Sequence, residues 1–401
     1  MISVAEAQDR LLALAKPLPP QTVSLVEANG RWLTEPVAAQ RDQPWTALSA
    51  MDGYAIRHAD LPGPWRLTGE SAAGSVPPTS LLGQGEAMRI FTGAPLPPGA
   101  DTVMVQEDVS ADGVEIHLTG DGPGDTGKHV RARASDFAQG DVLLAAGTRI
   151  GPAQIGLAAL AGHAALPVHR QPRVTILSTG DELVPPGAPC PPGKLPASNG
   201  AMLSAMVEGA GGLVIAEQIV RDDLAALTDA LRDARTADII VTSGGASVGD
   251  HDLVRPALEA AGGTIDFWRI AMQPGKPLIV ARIGQQIVLG LPGNPVSAMV
   301  TGALFLLPLI RRLAGAQDVL PKPQRARLGA DVPPVGKRTL FMRAVLGDDG
   351  IATPLAFQDS GAMQAAAQAN ALIVRPAGAP AGQAGDETQL LHWAALGLGH
   401  A

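Results

Sequence analysis

The sequence predicts a multidomain chain of α/β and β type. It comprises a doubly wound α/β domain, a small β domain inserted into an N-terminal α/β domain, and a C-terminal β-barrel-like domain. Three observations predict this. Residues 173–313 alternate strand-like and helix-like stretches, as a doubly wound sheet requires. Residues 43–137 are cut by prolines and glycines into short alternating or apolar runs. Residues 325–392 repeat that pattern after the linker Pro321-Lys322-Pro323. At 401 residues the chain exceeds one ordinary core, and two to four domains are expected. The boundaries read as 1–42 with 138–170, then 43–137, 171–318 and 319–401.

Residues 2–14 place Val4, Ala7, Leu11 and Leu14 at helical spacing. Val23 to Val26 reads as a short strand. In the insert, 89–92, 102–105 and 114–118 read as strands. Residues 141–144 are the core of a returning strand. Pro152 opens a helix over 152–160, expected to be buried, because proline suits a first helical turn. His163 reads as structural. The α/β unit then runs as strand 174–177, helix 199–210, helix 224–231, strand 239–241, helix 251–261, strand 264–268, a hairpin over 278–289, and helix 298–313. Arg221-Asp222-Asp223 precedes the second of these helices, where the helix dipole favours acids. Strands at 340–346 and 371–374 belong to the last domain.

Composition narrows the function. The net charge of -8 and the lack of any Lys/Arg block argue against nucleic acid. The single cysteine, Cys190, excludes an intramolecular disulfide and a zinc ribbon. It sits in a Pro/Gly loop and reads as a tolerated thiol. The N-terminal stretch M-I-S-V-A-E-A-Q-D-R is polar and helical rather than a signal peptide. Residues 287–310 carry no charge, but the break P-G-N-P at 292–295 leaves about 15 apolar residues where a span needs ~20. A soluble, cytoplasmic protein with no membrane partner is expected.

The stretch A-D-I-I-V-T-S-G-G-A-S-V-G-D-H-D at 237–252 organises the chain. Ile239, Ile240 and Val241 form the continuous apolar run of a strand buried on both faces. Gly244, Gly245 and Gly249 let the backbone approach a ligand. With Thr242, Ser243 and Ser247 they make a concavity suited to phosphate or another oxyanion. Asp250 and Asp252 set carboxylates at its rim, an arrangement that calls for a hard cation. Three more polar loops accompany it: 178–183, 271–277 with Lys276 between prolines, and 290–297. All four are expected beyond the C-terminal ends of strands, where such sheets bind ligands.

Six motifs in order resemble the molybdopterin molybdenumtransferase family, which includes the E domain of gephyrin-type proteins. They are S-A-M-D-G-Y-A at 49–55, F-T-G-A-P-L-P-P-G-A-D at 91–101, S-T-G-D-E-L at 178–183, T-S-G-G-A-S-V-G-D at 242–250, P-G-K-P at 274–277 and G-L-P-G-N-P-V-S at 290–297. The resemblance implies an enzyme that takes adenylylated molybdopterin and molybdate as substrates, inserts molybdenum into the pterin dithiolene and releases AMP, with Mg²⁺. It implies a homodimer whose residues 1–42 with 138–170 serve dimerisation. The active site would lie between the molybdopterin-binding-like α/β domain of one subunit and the inserted β domain of the other. Molybdopterin adenylyltransferase or recipient molybdoenzymes are possible partners.

Carried over by motif, Asp52 and Thr92 would come from the partner subunit. Glu182, Asp223, Asp252 and Lys276 would be catalytic. Ser243, Gly244, Gly245, Ser247, Gly249, Arg269, Pro292, Gly293, Asn294, Pro295 and Ser360 would bind substrate. Glu182, Asp250 and Asp252 would hold the metal. Arg338 and Arg343 match basic positions of the last domain. Two departures stand out: Gln273 occupies a position where relatives often carry Lys, and Gln364-Ala365-Ala366-Ala367 replaces a Ser-rich stretch.

Chemistry fits these residue types, since two anions meet only where cations or metal offset their repulsion. Catalysis would then be positioning and electrostatic stabilisation. Plainer readings stand beside these. Asp181 and Glu182 could cap the next helix, Asp222 and Asp223 begin one, and Asp250 and Asp252 could do likewise. Arg338 and Arg343 are solvated unless the last domain folds over the cleft. Rival functions are a molybdopterin adenylyltransferase, which resembles residues 173–313 alone, and a gephyrin-like scaffold.

Overall fold

The computed structural model describes residues 1–245, 253–267 and 269–398. The central sheet has the strand order Leu213–Val220, Arg173–Thr179, Ile239–Ser243, Gln286–Leu291, Ile279–Ile283, Thr264–Phe267. The first four strands run parallel; Ile279–Ile283 runs antiparallel to them, and Thr264–Phe267, antiparallel to Ile279–Ile283, runs with the first four. Ile239–Ser243 is buried at every position. Its side chains alternate between two cores, with Ile239 and Val241 on one face and Ile240 on the other. The first face is covered by Ser198–Gly209 and the long helix from Pro295. The second is covered by Leu224–Asp233 and Val254–Ala260. A strand with helices on both faces has no solvated side, which is why its run carries no polar alternation.

The helix from Pro295 to Leu313 is the one described helix long and apolar enough to cross a membrane, and 89% of its apolar window is buried inside the protein. It is a core helix. A π turn, Gly302–Leu306, interrupts it just before Pro308. Proline lacks an N–H and its ring crowds the preceding turn, and the wider turn accommodates both.

In the N-terminal unit, Pro20–Ser24 pairs with Ala165–His169 and Val37–Ala38 with Val142–Leu144, all antiparallel. The chain therefore leaves this unit and rejoins it after the inserted sheet. His163 hydrogen-bonds the Ala38 carbonyl at 2.8 Å. The strand expected at 23–26 is Pro20–Ser24, and Leu25 and Val26 turn away. The helix Pro152–Leu160 forms where proline placed it, but it is not the buried helix expected. Only Ala158 is buried, and Leu160 is 41% exposed. Ile155 and Leu157 pack against the core only in part, and the helix's alanines need no core to be stable in a helix.

The insert is a six-stranded sheet ordered Thr102–Val105, Gly53–Ile56, Glu86–Ile90, Trp65–Ser71, Glu115–Leu118, Val109–Asp112. The strand expected over 89–92 ends at Ile90, so Phe91 and Thr92 lie in the loop beyond it. The last domain closes into a five-stranded barrel: Thr339–Leu346, Ile351–Pro354, Gln324–Leu328, Glu387–His392 and Ala371–Arg375, the last pairing back to the first. Phe341, Leu372 and Leu391 join the core of the central sheet, which docks this barrel beside it.

Candidate active site

Four loops meet at one end of the central sheet around a crevice of about 890 Å³. Its lining includes Thr179 and Glu182 from the first loop, Ser243 to Gly245 from the second, Pro277 from the third and Pro292 to Pro295 from the fourth. The third loop arrives by a route the sequence reading did not anticipate. Its strand, Ile279–Ile283, runs antiparallel, so Pro277, the residue of this loop on the crevice wall, sits at a strand's beginning.

Gly244 shows why this geometry needs glycine. Its φ is +104°, and a Cβ there would lie 2.4 Å from the Thr179 carbonyl oxygen. The backbone must pass that close to turn off the buried strand. Asn199, at the start of a helix, ties two of the loops together. Its Nδ2 donates to Ser243 Oγ at 2.8 Å and to the Gly293 carbonyl at 2.7 Å. The sequence reading missed Asn199. Ser and Asn ahead of an apolar helical run signal a helix start, and nothing local says that the amide reaches residue 293. The hydroxyls of Ser178, Thr179 and Thr242 and Oδ1 of Asn199 are buried with no hydrogen-bond partner among the described residues.

Glu182 is exposed and lines the crevice. Neither it nor Asp181 caps the following helix, whose N-cap is Ala197. The chain instead forms the small pair Leu183–Val184 with Leu195–Pro196. Asp181 and Asp222 accept hydrogen bonds from each other's backbone N–H, at 3.2 and 3.3 Å, which sets Asp222 on the crevice wall. Asp223 instead caps Leu224–Asp233, its Oδ1 accepting from Ala226 N at 2.8 Å. Lys194 donates to the Asp181 carbonyl at 2.6 Å, adding a cation to this rim that the sequence reading did not single out.

Lys276 is exposed beside the lining residue Pro277, and Arg269 is exposed one loop earlier. Gln273 accepts from Arg338 Nη2 at 3.0 Å. The Gln273 amide thus holds a guanidinium of the last domain. Asn294 Nδ2 donates to Ser360 Oγ at 3.0 Å, and Val296 N to the Ser360 carbonyl at 3.1 Å. These bonds bring the C-terminal loop to the crevice, where Gly361 and Met363 complete the wall. Gln364 to Ala367 lie in the helix Met363–Gln368.

Arg343 departs from the solvated reading: it is 2% exposed. Its Nη2 donates to the carbonyls of Phe357 and Asp359, at 2.8 and 3.0 Å, and so shapes the loop that carries Ser360. Burial lowers its pKa, and the Asp359 charge partly offsets that. Arg338 is half-buried through its bond to Gln273.

Asp52 and Thr92 lie together on the inserted sheet and line no part of this crevice. Thr92 donates to Asp52 Oδ1 twice, from its N–H at 2.7 Å and its hydroxyl at 2.8 Å. These bonds, the backbone one foremost, and the charge of Arg89 hold the exposed carboxyl below its usual pKa. Ser247, Gly249, Asp250 and Asp252 lie outside the described residues.

The comparisons with known proteins cover this architecture part by part. Residues 2–162 match the MoeA N-terminal region (domain I and II), 175–312 the family described as "Probable molybdopterin binding domain", and 325–393 the MoeA C-terminal region (domain IV). A molybdopterin molybdenumtransferase of Nostoc sp. is 38% identical over 378 residues, covering 89% of this chain and 85% of that protein. Molybdopterin molybdenumtransferase 2 of Mycobacterium tuberculosis is 39% identical over 361 residues, covering 86% and 88%. A crystal structure of the molybdopterin biosynthesis MoeA protein from Pyrococcus horikoshii superposes with a TM-score of 0.84 at 30% identity, over 98% of this chain and 99% of that one. The chain therefore belongs to the molybdopterin molybdenumtransferase family.

Proposed function

We propose that this enzyme inserts molybdenum from molybdate into adenylylated molybdopterin and releases AMP. The observation that carries the reading is the crevice itself: four loops far apart in sequence converge on it. It is lined by hydroxyls, glycine backbone and carboxylates. The Gly245 N–H in the glycine loop suits a phosphate, whereas that of Gly244 is donated to the Leu291 carbonyl at 3.3 Å. Lys276, Lys194 and Arg269 supply positive charge that lowers the cost of bringing two anions together. Catalysis here is positioning and electrostatics, with no nucleophilic side chain called upon.

Mg²⁺ fits the donors present. Glu182 and Asp222 offer carboxylate oxygens at the crevice wall. Among the described residues no three His, Cys, Asp or Glu side chains gather to hold a metal. One or two such carboxylates would hold the ion together with waters and substrate phosphate oxygens. When bound, the ion offsets phosphate charge as a Lewis acid.

The working unit in this reading is a cytoplasmic homodimer, with Asp52 and Thr92 of the partner closing the crevice. The position of the Asp52–Thr92 pair away from the crevice of its own chain supports this. The test is AMP release from adenylylated molybdopterin with molybdate and Mg²⁺. Wild type should turn over, and Asp52→Ala should fold and dimerise yet lose turnover. Wild-type turnover by Asp52→Ala would refute the composite site.

A further inference from the structure

We propose that Arg89 is a positioning residue for the Asp52–Thr92 pair, a single guanidinium that binds the residue after Asp52 and lies against the residue before Thr92. This rests on the reading of Asp52 as an active-site group. Arg89 lies on the strand Glu86–Ile90, opposite Tyr54 in the antiparallel pair. Its Nη1 donates to the carbonyl of Gly53, the residue after Asp52, at 3.1 Å. Its Nη2 donates to Gln106 Oε1 at 2.7 Å. Gln106 in turn donates its backbone N–H to the Asp52 carbonyl at 3.1 Å. The guanidinium carbon also lies 5.0 Å from the Tyr54 ring centroid and 4.9 Å from that of Phe91, the residue before Thr92. Both are cation–π distances.

The residue after Asp52, the residue before Thr92 and the glutamine that meets the Asp52 carbonyl therefore all touch one side chain. A lysine would keep the charge and lose the fork that reaches Gly53 and Gln106 together. Gly53 cannot take over that role. A Cβ there would fall 1.8 Å from the Met104 carbonyl oxygen, so the strand beside Asp52 carries no side chain of its own. The charged groups around Asp52 are Arg89 itself, Glu70 in register with Arg89 on the neighbouring strand, Glu107 in the turn after Val105, and His129, whose carbonyl accepts from Ala50.

The test compares Arg89→Gln, Arg89→Lys and Gln106→Ala with wild type, with thermal melting as a folding control. The expectation is that kcat falls about 10- to 100-fold in Arg89→Gln while KM changes little, because a misplaced group costs the transition state and not substrate binding. Gln106→Ala, which removes one anchor and keeps the arginine, should lose less. The acid limb of kcat should move to higher pH in Arg89→Gln and stay nearer wild type in Arg89→Lys, since the cation favouring ionised Asp52 is lost only in the first. The Asp52 carboxyl is also followed by NMR in each folded variant, which reads the clamp without turnover. An Asp52 resonance with unchanged shift and titration in Arg89→Gln overturns the proposal. If Asp52→Asn turns over like wild type while the Asp52 resonance does move in Arg89→Gln, the clamp stands and the active-site reading of Asp52 fails instead.

Discussion

Thr92 spends two donors on one oxygen of Asp52, and this defines the pH behaviour of the pair. The carboxyl is held below its ordinary pKa, first by the backbone N–H, then by the hydroxyl and the Arg89 charge. A lowered folded-state pKa contributes stability that is complete above the unfolded value and lost as pH falls through the folded one. Asp52 is thus ionised throughout the neutral range, ready to accept hydrogen bonds. Thr92→Val keeps the backbone bond and removes the hydroxyl. The Asp52 carboxyl should then titrate at higher pH than in wild type, with the acid limb of activity following it. Carboxyl NMR titration checks the first effect and a pH–rate profile the second. Lys276 makes a simpler case. It is exposed on a loop bounded by prolines. Lys276→Ala should weaken molybdate or tungstate binding severalfold and leave thermal stability within about 0.5 kcal/mol of wild type. Isothermal titration giving an unchanged Kd would remove it from the site.

Elements were legible in proportion to how local their causes are. Pro152 fixes a helix start, because proline's missing N–H is one the first turn leaves unpaired anyway, and the helix read from 298 begins three residues earlier, at Pro295, for the same reason. Asp223 announced its cap, and the cap is there. The hairpin at 279–291 follows from two apolar runs separated by a short turn. Burial of the 152–160 helix was misread because alanine and leucine content signals helix more surely than it signals a core. The strand Gly53–Ile56 illustrates what a glycine inside a strand means. It marks a close approach of backbones, here to Met104. Gly53→Ala should therefore destabilise the inserted sheet by at least about 3 kcal/mol, since the clash is with backbone that cannot swing away. Denaturant melts would show a lower midpoint, and wild-type stability would mean that the two strands can part at no cost.

At the scale of the whole molecule, the arrangement decides between functions that share a sheet. The adenylyltransferase alternative resembles only residues 173–313, whereas the family matches also cover both flanks of this chain. The C-terminal barrel is joined to the crevice by Ser360 and Arg343, so it forms part of the wall. The inserted sheet supplies nothing to that wall, which is the reason for reading the site as composite. Complementation tests this. Asp52→Ala and Glu182→Ala homodimers should each be inactive. After subunit exchange, half the molecules are mixed dimers with one intact site of two, so about a quarter of wild-type activity should return. Sedimentation should give twice the 41.0 kDa chain mass throughout. A monomer that turns over would overturn the composite site.

The sequence by itself determined the strand from 239, which runs two residues past the 241 it was read to, the glycines 244 and 245 that follow it, and the family, because continuous apolar runs, glycines with forced φ and ordered motifs are properties of neighbouring residues. It also placed three polar loops at the C-terminal ends of strands, since strand direction follows from alternating strands and helices; the fourth, 271–277, reaches the same end only because its strand runs the other way. Only the tertiary structure decided that Asn199 bridges residues 243 and 293, that Arg343 is buried to shape the Ser360 loop, that Asp222 and not Asp223 lines the crevice, and that Arg89 binds the carbonyl of the residue after Asp52. Most of these depend on partners tens of residues away brought together by packing. Which of two adjacent acids faces the crevice is settled by the distant loop that meets them. A local pattern carries information about where a side chain begins and none about what it will meet.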